Sequence, residues 1–108
     1  MPLEDLDPDA LYHLASTAEW TDYQLDGSIV PPSLDTEGFV HCSWGHQVEC
    51  TVAKHFAGAT DLLALRIDRD RLGDVLLVEE DSYGSGQAFP HAYGPIPVGA
   101  VLAATALV

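Results

Sequence analysis

The sequence predicts an α+β fold: one compact domain with two helices and a bent or split, mostly antiparallel sheet. Three observations support this prediction. The chain has 108 residues, of which 47% are hydrophobic and 19% are charged, and this composition is typical of a single globular domain. Two segments with helix start and stop signals come early in the chain. Several short apolar segments follow them, and strands grouped apart from helices are typical of α+β proteins.

The first predicted elements are a strand over residues 10–16 and a helix over residues 17–27. Ser16 and Glu19 have the spacing of a capping box, in which each residue satisfies a backbone N–H near the start of the helix. A glycine closes the segment, and glycine readily takes the left-handed conformation that ends many helices. The pattern therefore sets both ends of the first helix.

The next elements are predicted to be a loop, a strand and the second helix. Residues 28–38 contain two prolines and a glycine, which predict a loop with an extended piece. A strand is predicted over residues 39–42. Ser43 is a typical N-cap residue, so the second helix is predicted from Trp44 to about Ala57.

The second half of the chain is predicted to be mostly strands. These are expected over residues 61–68, 75–80 and 99–108, with a turn and a glycine-containing loop among the connections. Residues 89–97 read FPHAYGPIP and are predicted to form a rigid segment interrupted by prolines. The strands are expected to form the bent or split sheet.

The charge of the chain limits the partners that it can bind. The net charge is −13, and only four residues are lysine or arginine. Nucleic-acid binding depends on a basic surface that neutralises phosphates, so direct binding of nucleic acid is not expected. The apolar runs are too short to span a membrane, and the acidic start is unlike a signal peptide. The sequence thus predicts a cytoplasmic protein without membrane contact, while backbone N–H groups still allow a small anionic ligand.

The segment 36–50 contains two histidines and two cysteines, which are residue types that bind zinc. His41 and Cys42 are neighbours on a predicted strand and therefore point to opposite faces. His46 and Cys50 fall together on the solvent face of the predicted helix. No metal site is therefore expected. An activated Cys42 nucleophile is the next alternative, but a cysteine in an apolar strand more often packs in the core.

Three histidines lie among apolar or aromatic residues, namely His13, His41 and His91. A histidine in such a strand often has only a structural role, and that interpretation stays open for all three. If they converge, they form one wall of a pocket with aromatic neighbours such as Tyr93. Glu79 ends an apolar strand beside a glycine-containing loop, where a carboxylate can act as a general base or remain solvated.

Several segments together resemble the bacterial DUF952 family, a domain of unknown function. These segments read LYHLAS, EGFVHCSWGHQV, DLLALRID and FPHAYGPIP. The resemblance extends over about residues 10–104, which is nearly the whole chain. It implies a family but no reaction.

A second resemblance is to the ADP-ribosyltransferase-like fold. LYHLAS is similar to a first strand whose histidine hydrogen-bonds an NAD ribose, and the matching residue is His13. EGFVHCS is similar to the second strand, where an aromatic residue stacks on nicotinamide; residues 39–43 match that region. The chain departs from this pattern at Leu14, where glycine is usual, and at His41, where tyrosine is frequent. The late catalytic glutamate of the fold has no certain counterpart.

We therefore expect an enzyme that acts on NAD, as a substrate, or on a related nucleotide. Six residues are predicted to form its site. His13 and Ser43 would hold ribose or phosphate, His41 and Tyr93 would orient the base, and His91 or Glu79 would transfer a proton. The alternative is a non-catalytic module that binds a small ligand through the same histidines.

Overall fold

The computed structural model describes residues 3–82 and 84–108. The strands are β1 (Leu11–Ala15), β2 (Ser28–Ile29), β3 (Val40–His41), β4 (Ser43–Trp44), β5 (Leu63–Ile67), β6 (Leu76–Glu80), β7 (Phe89–Tyr93), β8 (Ile96–Pro97) and β9 (Val101–Ala106). The α-helices are α1 (Thr17–Asp26), α2 (Pro32–Thr36) and α3 (Val48–His55). Short 3-10 turns connect several of these elements.

The strands of the described residues form three sheets, in which every pairing is antiparallel. The sheet orders are β4-β1-β5-β9, β3-β7-β6 and β2-β8. The predicted α+β domain with a split antiparallel sheet is thereby confirmed. The described part of the chain has three α-helices where the sequence predicts two.

The unit of β1 and α1 forms as its sequence predicts. The Glu19 backbone N–H donates to Ser16 Oγ at 3.1 Å, and the Ser16 N–H donates to the Glu19 carboxylate at 2.9 Å, so the predicted capping box is present. Gly27 ends the helix with a φ of 85°, a conformation that a Cβ disfavours. Local signals are sufficient to set both ends of α1.

Residues 28–38 are not only a loop with an extended piece, because they also contain α2. Pro32 lies in the first turn of this helix, where its missing N–H is not needed. Gly38 follows the helix with a φ of 88°. Ser33 Oγ donates to the Phe39 carbonyl oxygen at 2.8 Å and so joins α2 to the residue before β3. The prolines that predict a loop instead begin a short helix.

The predicted start of the second helix at Trp44, with Ser43 as its N-cap, is wrong. Ser43 lies in β4, where its register partner is Tyr12 of β1. A 3-10 turn follows at Gly45–Gln47, and α3 begins only at Val48. The reason is a tertiary contact. The chain pairs with the edge of β1 before the helix begins, so Ser43 lies in the sheet and does not cap a helix.

The chain passes from one sheet to another at Cys42, between β3 and β4. The Cys42 N–H donates to the Pro90 carbonyl oxygen at 3.1 Å, but proline has no N–H with which to return a second bond. The ladder between β3 and β7 ends there, and Ser43 pairs with β1 instead. Pro90 lies inside β7, and the proline-containing segment 89–97 includes two strands, β7 and β8.

Two apolar clusters hold the elements together, and β1 contributes to both. Leu11 and Ala15 pack in a cluster that joins the four-stranded and three-stranded sheets. Tyr12 and Leu14 pack in a second cluster, which includes residues of α3. All five residues of β1 are therefore buried, and His13 extends toward the same side as Leu11 and Ala15 because side chains alternate along a strand.

Gly45 marks a close approach between the N-terminal segment and the turn before α3. Its N–H donates to the Ala10 carbonyl oxygen at 2.9 Å. A Cβ on Gly45 would stand 1.8 Å from the Asp7 carbonyl oxygen and 2.9 Å from Pro8 Cα, which are backbone atoms. We predict that Gly45→Ala lowers the free energy of unfolding by about 2–3 kcal/mol, because the backbone must shift to relieve the overlap. Urea denaturation measures this difference.

Gly99→Ala is the matched control for that substitution. A Cβ on Gly99 would meet no atom within 4 Å, and its φ is not in the left-handed region. Its stability should stay within about 1 kcal/mol of the original or rise, because alanine restricts the unfolded chain. Equal losses in the two variants would contradict the close approach at Gly45.

Candidate functional site

A cleft opens where the chain crosses between the two larger sheets. Its volume is about 390 Å³, which is within the range of small-ligand sites. The crossing residues His41, Cys42 and Ser43 form part of its wall. The other lining residues are His13, Leu14, Ser33, Thr36, Glu37, Thr51, Lys54, His55, Phe56 and Phe89. Residues from β1, α2 and α3 thus meet around the crossing.

His13 has a tautomer that its surroundings determine. The side chain is buried, with 6% of its surface exposed, and its Nδ1 lies 2.7 Å from the His41 carbonyl oxygen. Because a carbonyl oxygen only accepts, Nδ1 carries the hydrogen and donates it. Burial lowers the pKa of His13, and the hydrogen bond to His41 opposes this effect only in part. The ring is therefore neutral at pH 7, and Nε2 is an unprotonated acceptor.

The Nε2 atom of His13 is available to a ligand. It has no hydrogen-bond partner among the residues that the structure describes, and His13 lines the cleft. A ring nitrogen with an unused lone pair that borders a cleft gains free energy when a donor reaches it. This atom is consequently the most specific polar feature of the cleft wall.

His41 connects His13 to a carboxylate on the same wall. Its ring Nε2 lies 2.8 Å from Glu37 Oε2, and both side chains are partly exposed. A carboxylate accepts, so His41 donates through Nε2. His41 therefore bonds Glu37 with its ring and His13 with its backbone carbonyl. The three residues form one continuous polar network along the cleft.

Ser43 and Thr51 form a pair of hydroxyl groups beside this network. Their oxygen atoms are 2.8 Å apart, and Thr51 Oγ1 donates to the Gln47 carbonyl oxygen at 3.2 Å. Since Thr51 has one hydroxyl hydrogen, Ser43 is the donor between the two hydroxyls. Ser43 Oγ keeps only acceptor capacity for a ligand.

Cys42 is a core residue and not a nucleophile. The side chain is buried in the cluster between the sheets. Burial raises the pKa of the Cys42 thiol to about 12, whereas the thiolate is the reactive form. The interpretation of this cysteine as core packing is confirmed.

The remaining lining residues include basic side chains on α3 and apolar side chains. Lys54 and His55 are exposed on the last turns of α3. Phe56 and Phe89 supply apolar surface. A ligand in the cleft therefore meets one fixed positive charge and an apolar wall.

His91 and Tyr93 lie outside the cleft wall, in an aromatic cluster on the three-stranded sheet. The His91 and Phe39 rings are stacked, with centroids 3.9 Å apart and planes 8° apart. His91 Nδ1 donates to Glu80 at 2.9 Å, and the Tyr93 hydroxyl donates to the same carboxylate. These bonds, from Tyr93 first and then from His91, lower the pKa of Glu80. Phe39 also meets His41 edge-on at 4.9 Å, which joins this cluster to the cleft.

Glu79 lies on the opposite face of β6 from Glu80, because side chains alternate along a strand. Its Oε1 accepts a hydrogen bond from Trp44 Nε1 at 2.7 Å. The Arg69 guanidinium lies 5.1 Å from the centre of a Trp44 ring. Glu79 does not line the cleft. The catalytic roles predicted for Glu79 and His91, and the ligand role predicted for Tyr93, stay predictions.

The structure thus brings three predicted site residues together in the cleft: His13, His41 and Ser43. Glu37 was not predicted as a site residue. Its position four residues before His41, and just after a segment that begins with prolines, could have indicated the contact between the two side chains. Thr51 was also not predicted, because a helix from Trp44 with Ser43 as its N-cap places the two hydroxyls differently.

Residues 3–82 and 84–108 contain no group of three or more His, Cys, Asp or Glu side chains that could hold a metal ion. His46 is exposed on the 3-10 turn before α3, and Cys50 is half-buried on α3. The helices in this part of the chain are all too short or too polar to cross a membrane.

Because the pKa of His13 is lowered in the folded protein, the free energy of unfolding should depend on pH. The usual value for histidine is 6.5, so below about pH 6.5 the unfolded chain binds a proton at His13 that the folded protein does not. The stability that neutral His13 contributes is complete above that pH and is lost as the pH falls toward the lower pKa of the folded state. We predict that the free energy of unfolding falls less between about pH 7 and about pH 5.5 in His13→Asn than in the original chain.

Urea denaturation at the two pH values measures this difference. Asparagine offers a donor near the position of Nδ1 but does not titrate in this range. His46→Asn, at an exposed position outside the cleft, is the control and should keep the original pH dependence. An unchanged pH dependence in His13→Asn would contradict a buried neutral ring.

Comparison with known proteins identifies the family. The family model described as "Protein of unknown function (DUF952)" matches residues 14–104. The crystal structure of protein CC0527 from Caulobacter crescentus is 34% identical to the chain, with a TM-score of 0.79, and the match covers 91% of this chain and 85% of that chain. The solution NMR structure of CC0527 is 35% identical, with a TM-score of 0.74 and coverages of 89% and 82%. No curated protein matches the chain.

These matches agree with the DUF952 resemblance that the sequence motifs suggest. Neither the family model nor the solved structures bear on the resemblance to the ADP-ribosyltransferase-like fold. Because the model matches most of the chain and a solved relative of more than 30% identity shares its fold, the chain belongs to the DUF952 family of proteins of unknown function.

Proposed function

We propose that the cleft binds a ribonucleotide, such as NAD or ADP-ribose, and that the protein acts on the bond between the ribose and its base. The observation that carries this proposal is the neutral His13, whose Nδ1 is held by the His41 carbonyl. The ring therefore offers a ligand an acceptor and no charge. The similarity of LYHLAS to the ribose-binding strand of ADP-ribosyltransferase-like enzymes also supports it.

The polar atoms of the cleft match the groups of a ribonucleotide. His13 Nε2 and Ser43 Oγ accept hydrogen bonds, and ribose presents neighbouring hydroxyl groups that donate them. Lys54 supplies a positive charge for a phosphate. Phe56 and Phe89 supply apolar surface for the base. A sugar, a phosphate and a base thus each have a suitable partner.

The Glu37–His41 pair gives the cleft a group that can support chemistry. When the bond between ribose and base breaks, the base leaves with the electron pair and positive charge develops on the ribose. The Glu37 carboxylate, which lies on the cleft wall, stabilises such a charge. A water or an acceptor hydroxyl then bonds to the ribose carbon, and its proton passes to the Glu37 carboxylate.

Binding without turnover is the second candidate function. It is favoured by the absence of an activated nucleophile among the described lining residues. Cys42 is held as a thiol by burial. Ser43 donates its hydroxyl hydrogen to Thr51 and not to a histidine. Any reaction in the cleft therefore proceeds without a covalent enzyme intermediate at these residues.

Thermal unfolding and calorimetry with NAD, ADP-ribose, AMP and adenosine test the proposal. A ligand that binds the folded state raises its stability by about 2.7 kcal/mol when present at about 100 times its Kd. We predict stabilisation by at least one of these nucleotides at millimolar concentration. The proposal fails if none of them stabilises the protein. Release of free base from NAD separates turnover from binding alone.

Two substitutions locate the ligand in the cleft. We expect His13→Asn to weaken nucleotide binding by about five- to tenfold, because it removes the Nε2 acceptor. Lys54→Met should weaken AMP binding by about fivefold and leave adenosine binding unchanged, because only AMP carries a phosphate. His46→Asn, outside the cleft, is the control for both. Equal affinity in all three variants would place the ligand elsewhere.

A further inference from the structure

Strand β9 is an unpaired edge of the four-stranded sheet. Its partner on one side is β5, and the described residues pair no strand with its other side. The Leu107 N–H donates to the Leu62 carbonyl oxygen at 2.8 Å. Because hydrogen-bonded positions alternate along an antiparallel strand, the N–H and C=O groups of Ala104 and Ala106 extend away from β5. These backbone groups are available to form hydrogen bonds with another strand.

This edge has no charge, in contrast to the chain as a whole. Residues 99–108 contain no Asp, Glu, Lys or Arg, although the chain has a net charge of −13. Leu102 is 54% exposed, and Ala103 and Ala104 are exposed as well. The edge is therefore apolar as well as unpaired.

The other edges of the two larger sheets in the described residues carry the protection that edges usually have, which is short length or charge. Strands β3 and β4 have two residues each. Strand β6 is longer, but it ends in Glu79 and Glu80. Strand β9 has six residues and no charged side chain. Its one irregularity is a register shift against β5 at Leu102, which lies before the regularly paired positions Ala104 and Ala106. This difference indicates that β9 has a binding partner.

We propose that β9 pairs with β9 of a second copy of this chain, antiparallel about a two-fold axis near Ala104. The two four-stranded sheets then form one continuous sheet. The occupant is a second copy because an antiparallel edge is complementary to itself: each copy offers the same alternation of donors and acceptors. The proposal does not depend on the function of the cleft.

The charge of the chain also favours this location for self-association. Two copies with a net charge of −13 each repel one another, and like charges placed directly opposite across strands are unfavourable. A contact through residues 99–108 places no charged side chain of those residues against its equivalent. The remaining long-range repulsion is screened by salt, so the dimer should become tighter as ionic strength rises.

Sedimentation velocity over a range of protein concentrations, at about 0.05 M and about 0.5 M NaCl, tests the proposal. The expected result is a monomer–dimer equilibrium whose dissociation constant is lower at the higher salt concentration. Ala104→Glu should raise that constant at least about tenfold, because two carboxylates then face each other near the axis. Leu76→Glu adds the same charge at an exposed residue of β6 and should leave the constant nearly unchanged.

Hydrogen exchange of the original chain gives a readout that does not depend on any variant. The Ala104 and Ala106 amides should be protected in concentrated samples and should lose protection on dilution. A monomer at all concentrations in both salts overturns the proposal. So does a dimer that Leu76→Glu disrupts and Ala104→Glu does not, and so does protection of these amides that is independent of concentration.

Discussion

The hydrogen bond from His13 Nδ1 to the His41 carbonyl is the interaction on which the site depends. It joins β1 of the four-stranded sheet to the end of β3, at the point where the chain leaves the three-stranded sheet. Its net contribution is about 1 kcal/mol, but breaking it would leave a buried imidazole unpaired, at a cost of about 1–3 kcal/mol. The bond also fixes the tautomer of His13. One contact thus connects two sheets and determines which ring nitrogen a ligand meets.

The passage of the chain from the three-stranded to the four-stranded sheet follows from the missing backbone N–H of Pro90. Pro90 accepts from the Cys42 N–H and cannot donate in return, so the β3–β7 ladder ends and Ser43 joins β1. Cys42 fills the core at this point, and its neighbours on either side face the cleft. The cleft is therefore a consequence of how the two sheets are connected, and α2 and α3 close its sides.

The sequence predicts those features whose signals are local. The capping box and the closing glycine set both ends of α1, and alternation correctly separates His41 from the buried Cys42. Features that depend on distant partners were missed. Ser43 has the local signal of a helix cap, yet pairing with Tyr12 takes precedence. The contact of Glu37 with His41 depends on α2, a helix that was not predicted because the two prolines indicated a loop. Burial of a histidine beneath an aromatic ring, as for His91, depends on strand register and not on neighbouring residues.

The proposed ligand site depends most on the protonation of His13, which heteronuclear NMR of the imidazole nitrogens observes directly. At pH 7 we expect a neutral ring with hydrogen on Nδ1, none on Nε2, and a through-bond coupling from Nδ1 to the His41 carbonyl carbon. A ring protonated at both nitrogens, or a hydrogen on Nε2 alone, would contradict this expectation, because His13 would then have no acceptor to offer a ribose hydroxyl.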